Sequence, residues 1–348
     1  MNPLILPITV LSLLLGTTMT FTASHWLLIW VGLEINTMAI IPLMIYQHHP
    51  RATEATTKYF LTQATASATL LFAGVINAWL TGQWNITEIT SPISATLTSL
   101  ALALKIGLAP LHFWLPEVLQ GLNLFTGLIL STWQKLAPFA ILLQLYHLLN
   151  PTLLMLMGIS SILIGGWGGL NQTQLRKILA YSSIAHIGWM VVILHYSPNF
   201  TLLNLIIYIM MTSSLFLMFN TNNTTKINSI AISSTKSPLL MTMTMLTLLS
   251  LGGLPPLTGF MPKWLILQEM TKQNLLIPAT IMALATLLSL FFYLRLSYTI
   301  TLTLPPNPIT SSSSWRTKTT QSTLILSLMV PLSLLMLPLT PLILSLVT

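Results

Sequence analysis

The sequence predicts an all-α polytopic membrane protein with about eleven transmembrane helices. Of its 348 residues, 54% are hydrophobic and only 5% are charged, whereas an average soluble domain is about 25% charged. The mean hydropathy of +0.81 agrees with this low charge. A soluble protein of this length needs a charged surface, so the composition excludes a soluble globular protein, a disordered chain and a coiled coil.

Apolar runs long enough to span a bilayer follow one another along the whole chain. A helix needs roughly 20 apolar residues to cross about 30 Å of hydrocarbon. The predicted spans lie at about 3–20, 25–45, 57–80, 92–111, 123–146, 150–169, 175–195, 200–220, 238–258, 275–303 and 324–346. The polar segments between them are too short for a soluble domain, so we expect residues 1–348 to form a single membrane domain.

The basic residues of the loops predict the orientation of the chain. Loops after odd-numbered spans hold only Lys272. Loops after even-numbered spans hold Arg51, Lys58, Arg176, Lys177, Lys226, Lys236, Arg316 and Lys318. By the positive-inside rule the N-terminus lies on the matrix or cytoplasmic side, and eleven spans place the C-terminus opposite. Because these residues are scattered between apolar runs, the net charge of +8 does not indicate nucleic-acid binding.

The residue types exclude several kinds of site. The chain has no cysteine, which excludes disulfides, thiolate zinc sites and cysteine-ligated iron–sulfur clusters. Gly166-x-Gly168 lacks the third glycine of a dinucleotide motif and follows an apolar span, so no NADH site is predicted. We therefore expect any redox centre that the protein serves to lie on another chain, and no metal site on this one.

Five charged residues are predicted to lie deep in the membrane: Glu34, Lys105, Lys135, Arg295 and, in the continuation of span 9, Lys263. A charge at the bilayer centre costs roughly 2.5–3.5 kcal/mol on insertion scales, and such residues mark proton relays or ion paths. A static ion pair between Glu34 and one lysine is the alternative, but one glutamate cannot neutralise three deep lysines. Arg295 lies near the basic end of its span, where it either joins the path or snorkels to the surface.

Two predicted helices are broken, and the breaks resemble each other. Gly107 and Pro110 interrupt span 4, and Pro255 and Pro256 interrupt span 9, because proline removes a backbone donor and clashes with the preceding turn. Gly-Leu-x-Pro-Leu recurs after 146 residues and five spans, as in inverted-repeat transporters. We therefore expect two inverted five-helix repeats, at about 1–147 and 150–303, followed by a terminal helix at 324–346.

Two histidines lie inside the membrane part of the sequence. His112 is in the first break and His186 is midway along span 7. Imidazole titrates near neutral pH and can pass protons. Each can equally make an interhelical hydrogen bond, which is the commoner role of a single intramembrane histidine.

Six segments of the sequence match a known family. They are Met1-Asn2-Pro3, SHWLLIWVGLEINTMAIIPLM at 24–44, LALKIGLAPLHFWLPEV at 102–118, LSTWQKLAPF at 130–139, GGLNQTQLRKILAYSSIAHIGWM at 168–190 and GGLPPLTGFMPKW at 252–264. In these segments, in length and in number of spans the chain resembles the family of subunit 2 of vertebrate mitochondrial NADH:ubiquinone oxidoreductase, respiratory complex I.

The resemblance implies an antiporter-like fold and a core subunit of a proton-pumping enzyme in the mitochondrial inner membrane. The family's glutamate in the second span falls on Glu34, and its three lysines fall on Lys105, Lys135 and Lys263. Protons would enter from the matrix toward Lys105 or Lys135, move to Lys263 and leave on the intermembrane-space side, driven by quinone reduction elsewhere. Bacterial members carry three further N-terminal spans, and their loss reverses the N-terminal side, in agreement with the loop charges.

The resemblance also implies cofactors and partners on other chains. FMN, iron–sulfur clusters and ubiquinone are expected on other subunits. Expected partners are antiporter-like and small multi-helix neighbours in the membrane arm, accessory subunits, and phospholipids such as cardiolipin. Two rival functions differ in their tests: an autonomous cation/proton antiporter would transport as a purified chain, and a purely structural subunit would tolerate Lys135→Met without a change in pumping.

Overall fold

The computed structural model describes residues 5–46, 48–303 and 323–347, and all regular elements in these ranges are helical. The helices are α1 (Ile5–Thr22), α2 (Trp26–Ile45), α3 (Pro50–Thr81), α4 (Pro92–Ile106), α5 (Trp114–Gly121), α6 (Leu124–Ser131), α7 (Trp133–Leu145), α8 (Pro151–Gly169), α9 (Leu175–Ile193), α10 (Pro198–Thr221), α11 (Ile227–Lys236), α12 (Pro238–Gly252), α13 (Phe260–Lys272), α14 (Leu276–Thr303), α15 (Leu324–Leu335) and α16 (Thr340–Val347). The N-terminal Met1-Asn2-Pro3 and the loop at 305–318, with Arg316 and Lys318, lie outside the described residues.

A helix occupies each of the eleven predicted spans, so the prediction of an all-α polytopic membrane protein is confirmed. In the described residues, α1, α2, α3, α6–α7, α8, α10 and α14 are long and apolar enough to cross a bilayer. Three shorter apolar helices, α4, α12 and α15, stand at predicted spans 4, 9 and 11. Span 7 corresponds to α9, which has Arg176 and Lys177 in its first turn and carries buried Ser182, Ser183 and His186, and it is not among these apolar helices.

The structure interrupts two spans that the sequence predicts as continuous. Span 5, expected over 123–146, ends as α6 and resumes as α7 after Thr132. Pro138 inside α7 cannot donate to the carbonyl four residues earlier, so this helix is weakened just before it. The predicted terminal helix 324–346 is likewise divided into α15, a short 3-10 turn at Leu337–Leu339 and α16, and a proline lies in that turn.

The described chain divides into two compact units, one ending at Ser161 and the other beginning at Ile162. In the first unit, glycines let helices approach closely. A Cβ added to Gly16 of α1 would lie 2.9 Å from the carbonyl oxygen of Gly32 in α2. A Cβ added to Gly121 of α5 would lie 2.6 Å from the carbonyl oxygen of Arg51 in α3. The second contact fixes α5, the helix after the first break, against the start of α3.

In the second unit, α9 is buried along almost its whole length and contacts α10, α13 and α14. The glycine-rich end of α8 packs against this centre. A Cβ on Gly168 would overlap the Tyr181 ring, and one on Gly169 would lie 2.7 Å from the Phe292 ring. These glycines therefore serve close helix packing, as small residues do at membrane helix interfaces.

Loops that the sequence assigns to the same membrane side meet within each unit. In the first unit, His25 between α1 and α2 forms a β-bridge with Asn85 between α3 and α4. In the second unit, Gln174 before α9 forms a β-bridge with Lys226 before α11. Each pair joins two loops separated by an even number of spans, which is the alternation that a polytopic chain requires.

Arg295 holds one of these loops instead of snorkelling to the surface. Its guanidinium lies on α14 and donates hydrogen bonds to the carbonyl oxygens of Leu170 and Gln172, which follow α8. The freed C-terminal carbonyls of a helix favour a cationic donor. Arg295 therefore has a structural contact within the second unit that explains its charge inside a span.

Candidate functional site

The first break ends α4 at Ile106, one residue after Lys105. Gly107 follows with φ 86°, in the left-handed region that favours glycine, and Pro110 lies in the irregular segment before α5. The carbonyl groups freed at this helix end find donors on neighbouring side chains. The Trp114 indole donates to Leu104 O at 3.0 Å, and the Gln63 amide donates to Lys105 O at 3.4 Å. The broken helix is thus tolerated because protein groups replace the missing backbone donors.

The second break ends α12 at Gly252, and Lys263 supplies the donor there. Gly253 follows with φ 82°, and Pro255 and Pro256 lie in the link to α13. Lys263 Nζ donates to Gly252 O at 2.7 Å and to Leu251 O at 3.4 Å. The negative end of a helix dipole stabilises a cation, so this break binds the lysine through backbone carbonyls.

Lys105 and Lys135 line one cavity in the first unit. Both side chains are buried, with 6% and 5% of their surface exposed. The cavity has a volume of about 20 Å³, which suffices for roughly one water molecule. Lys105 Nζ has no hydrogen-bond partner among the described residues. A buried amine beside a water-sized space is suited to exchange a proton through that water.

Polar side chains that sequence analysis did not single out complete the lining of this cavity. They are Asn36, Thr37, Tyr59, Gln63 and Gln134. Asn36 and Thr37 are consecutive buried residues of α2, and Tyr59 and Gln63 are separated by one turn of α3. Their signal was present as polar residues at helical spacing within apolar runs. The pattern does not show which of them face a lysine and which face another helix.

Glu34 lies beside this cavity but does not line it. Its carboxylate accepts a hydrogen bond from Thr37 Oγ1 at 3.1 Å, and its side chain lines an apolar groove that also contains Trp30 and Met38. No lysine nitrogen lies within 4.0 Å of Glu34 in the described part of the chain. Glu34 interacts electrostatically with Lys105. A static contact ion pair, the alternative considered above, is absent from these ranges.

The two histidines occupy buried positions in different units. His112 is 2% exposed in the first break, where its ring packs on Phe113 at a centroid distance of 4.3 Å. His186 is 6% exposed on α9, and its ring lies 5.6 Å from that of Tyr208. Neither lines the cavity of Lys105 and Lys135. His112 is close in sequence to Lys105, but its ring lies outside the cavity of Lys105 and Lys135. The ring of His186 lies outside this cavity as well.

Glu117 and Lys263 follow the two copies of the repeated motif at equivalent positions, 146 residues apart, but have different surroundings. Glu117 Oε2 lies 2.7 Å from Lys58 Nζ, and Glu54 Oε1 lies 2.8 Å from the same nitrogen. Lys58 and Glu117 are about half exposed, whereas Lys263 is bound at a helix end. The repeated motif thus places a surface ion pair at one break and an internal lysine at the other.

We expect Lys58→Met to change the function and stability of the protein little. Exposed ion pairs contribute little because solvent and salt screen them and because two long side chains must be ordered. The test is the thermal inactivation temperature of the assembled protein, measured for the parent and the variant at low and high salt. A large loss of stability at both salt concentrations would contradict the assignment of this cluster to the solvated surface.

Comparison with known proteins shows which family the chain matches and which solved structures share its fold. Residues 23–289 match the family described as NADH:quinone oxidoreductase/Mrp antiporter, TM, and residues 290–344 match NADH dehydrogenase subunit 2 C-terminus. The Mrp complex structure from Dietzia covers 83% of this chain and 59% of its own matched chain, with a TM-score of 0.76 at 18% identity. That likeness shows the fold alone, and the antiporter-like fold is confirmed.

Two further relatives share more sequence. Respiratory complex I from Thermus thermophilus with bound aureothin contains a chain that is 27% identical, with a TM-score of 0.78, covering 95% of this chain and 78% of that one. NADH-ubiquinone oxidoreductase chain 2 from Squalus acanthias is 72% identical over 341 residues, 98% of each chain. The resemblance inferred from the six sequence segments is thereby confirmed, and the chain belongs to the NADH-ubiquinone oxidoreductase chain 2 family.

Proposed function

We propose that this chain translocates protons as a core membrane subunit of NADH:ubiquinone oxidoreductase, through a relay of Glu34, Lys105, Lys135 and Lys263. The observation that carries the proposal is the pair of buried lysines on one water-sized cavity in a chain of this family. Quinone reduction elsewhere in the complex supplies the energy. The chain is thus part of an H⁺-translocating enzyme and moves protons without carrying electrons itself.

The first unit supplies the loading site of the relay. A buried amine without a hydrogen-bond partner loses much of the solvation that stabilises its charge, so its protonation responds to nearby charges. Glu34 interacts electrostatically with Lys105. A change in charge at Glu34 therefore favours uptake or release of a proton at the lysines. Protons enter from the matrix side toward Lys105 or Lys135.

The second unit supplies the release site. Lys263 is held by the terminal carbonyls of α12, and the C-terminal end of a helix attracts a cation. In the proposed sequence of steps, a proton passes from the first unit to Lys263 and leaves on the opposite face of the membrane. His112 and His186 are candidate carriers beside this path, in the first break and on α9.

The experiment that tests the proposal is Glu34→Gln in the intact complex. Glutamine keeps the size of the side chain and removes its charge, so we expect fewer protons pumped per electron while the complex still assembles. The measurement is the ratio of protons translocated to NADH oxidised, in proteoliposomes that contain the purified complex. Glu88→Gln, a change of the same kind in the loop before α4, is the control. An unchanged ratio in the Glu34 variant would remove Glu34 from the relay.

We propose further that the chain forms one membrane domain, 1–348, of two inverted repeats at about 1–147 and 150–303. The equivalent glycines Gly107 and Gly253 support this, because each ends a broken helix with a positive φ. The terminal segment 324–346 follows the repeats. The N-terminus lies in the matrix and the C-terminus in the intermembrane space, supported by the loop charges and by the loops that meet within each unit.

The remaining proposals concern cofactors and partners. FMN, iron–sulfur clusters and ubiquinone bind to other subunits, and the absence of cysteine from the sequence supports this for the clusters. The partners are antiporter-like and small multi-helix membrane-arm subunits, accessory subunits and phospholipids such as cardiolipin, and no nucleic acid. The apolar exposed surface supports lipid contact, since Trp79 is 87% and Trp167 is 75% exposed near the ends of their helices.

A further inference from the structure

The groove that contains Glu34 and the cavity that contains Lys105 and Lys135 are lined by different residues of α2. Glu34 lines an apolar groove with Trp30 and Met38. The cavity of Lys105 and Lys135 is lined from α2 by Leu33, Asn36 and Thr37. In the described ranges no lysine nitrogen lies within 4.0 Å of Glu34. Proton transfer between the Glu34 carboxylate and a lysine therefore requires an intermediate group.

Thr37 is the residue that contacts both sides. Its hydroxyl lies 3.1 Å from Glu34 Oε2 and 2.9 Å from the carbonyl oxygen of Glu34. The side chain is 5% exposed and lines the cavity that contains Lys105 and Lys135. Threonine in a helix commonly donates to a carbonyl one turn earlier. Thr37 is unusual in this chain because the same hydroxyl also reaches a carboxylate.

The cavity has room and polar partners for the other half of the link. Its volume of about 20 Å³ accommodates roughly one water molecule, which needs two to four polar partners to be bound stably. Lys105 Nζ, buried and without a hydrogen-bond partner among the described residues, is one such partner. A hydroxyl has one donor and two acceptor positions, so Thr37 can donate to Glu34 while it accepts from the water.

We propose that the Thr37 hydroxyl and one water in this cavity connect the Glu34 carboxylate to Lys105, as the path by which a proton moves between them. This proposal rests on the proposed relay function. In the transfer, Thr37 gives its proton to the Glu34 carboxylate and takes one from the water, and the water takes one from the Lys105 ammonium. The products are a neutral carboxylic acid, a neutral amine, an unchanged hydroxyl and an unchanged water. Only a proton has moved, and no oxidant or reductant is needed.

The test compares Thr37→Val with Thr37→Ser in the intact complex. Valine keeps the shape and removes the hydroxyl, whereas serine keeps the hydroxyl. Loss of a group that passes a proton slows the step by roughly 10²-fold or more, so we expect Thr37→Val to lower the protons pumped per NADH as much as Glu34→Gln does. Thr37→Ser should keep the parent ratio. Combining Thr37→Val with Glu34→Gln should cause no further loss, because both changes interrupt the same step.

Thr98→Val is the matched control. Thr98 is fully buried, donates to the carbonyl three residues earlier as Thr37 does, and does not line the cavity. We expect it to pump like the parent. All ratios are normalised to assembled complex, measured by its NADH oxidation with an artificial electron acceptor. If Thr37→Val does not assemble, Thr37→Cys decides in its place, since a thiol is a weak donor and should also lower the ratio.

The outcomes separate this proposal from the function on which it rests. Parent-like pumping by Thr37→Val, together with loss of pumping by Glu34→Gln, would overturn the Thr37 link and leave the relay in place. Parent-like pumping by Thr37→Val and Glu34→Gln, and by Lys135→Met as well, would overturn both. Loss of pumping in Thr37→Ser equal to that in Thr37→Val would also overturn the link, because the hydroxyl would then not be the property that matters.

Discussion

Replacing Lys135 by methionine should stop proton transfer through the first unit while the complex still assembles. Lys135 is 5% exposed and lines the cavity with Lys105, so the variant removes one of the two groups that can hold a proton there. Removal of a group that transfers a proton typically slows the step by about 10²–10⁴-fold. Methionine has a similar length and is apolar, and an apolar residue of similar volume is well tolerated in place of a buried charge. The measurement is the number of protons pumped per NADH oxidised in proteoliposomes.

Lys272→Met is the control for this prediction. It removes the same charge from a side chain that is 61% exposed and paired with Glu269 at 3.4 Å, outside the cavity. We expect it to pump as the parent does. If the Lys135 variant pumped at the parent ratio, the chain would serve its complex as a structural subunit and the relay would be rejected for this residue.

Replacing Gly253 by alanine should destabilise the second break. The loss of stability should be larger than that caused by Gly82→Ala. Gly253 has φ 82°, and a Cβ at this position would lie 2.8 Å from Lys263 Cδ and 2.9 Å from Lys263 Nζ. The left-handed conformation costs a residue with a Cβ about 1–2 kcal/mol, and displacing a packed side chain costs about 1–3 kcal/mol more. We expect a lower thermal inactivation temperature and reduced pumping, because the amine must leave Gly252 O.

Gly82→Ala separates the cost of the left-handed backbone from the cost of displacing the Lys263 side chain. Gly82 also has a left-handed φ, 75°, but a Cβ there would meet nothing within 4 Å. It should lose only the backbone contribution and pump normally. Equal losses of stability in the two variants would show that Lys263 moves aside freely, and the close contact between Gly253 and Lys263 would then have no importance for the break.

The sequence predicts those features of the site that stand out against an apolar background. An ionisable residue such as Lys105 is conspicuous in a membrane span because its burial is costly. The two breaks are equally visible, because a glycine and prolines within a span cannot continue a regular helix. The fold class, the spans and the interruptions of helices 4 and 9 were predictable for these reasons.

Features that depend on contacts between distant segments were not predictable. Lys105 on α4 and Lys135 on α7 share a cavity because these helices pack together, and no local pattern encodes that pairing. Thr37 looks like any helical threonine until its distance to the Glu34 carboxylate is known. The interruption at Thr132 was missed because threonine is compatible with a helix, and the nearest proline, Pro138, lies six residues further along the chain.

The side chains that donate hydrogen bonds to the last carbonyls of α4 and α12 differ in whether they can lose a proton. This difference determines what a lysine substitution at each break changes. In the first unit the donors are the Trp114 indole and the Gln63 amide. Neither gains or loses a proton, so these hydrogen bonds do not depend on the proton that Lys105 carries. In the second unit the donor is Lys263 itself, and a charged donor makes a hydrogen bond roughly twice as strong as a neutral one. Backbone geometry at the end of α12 is therefore linked to the proton that Lys263 carries, and a lysine-to-arginine exchange at that position keeps the cap while it fixes the charge.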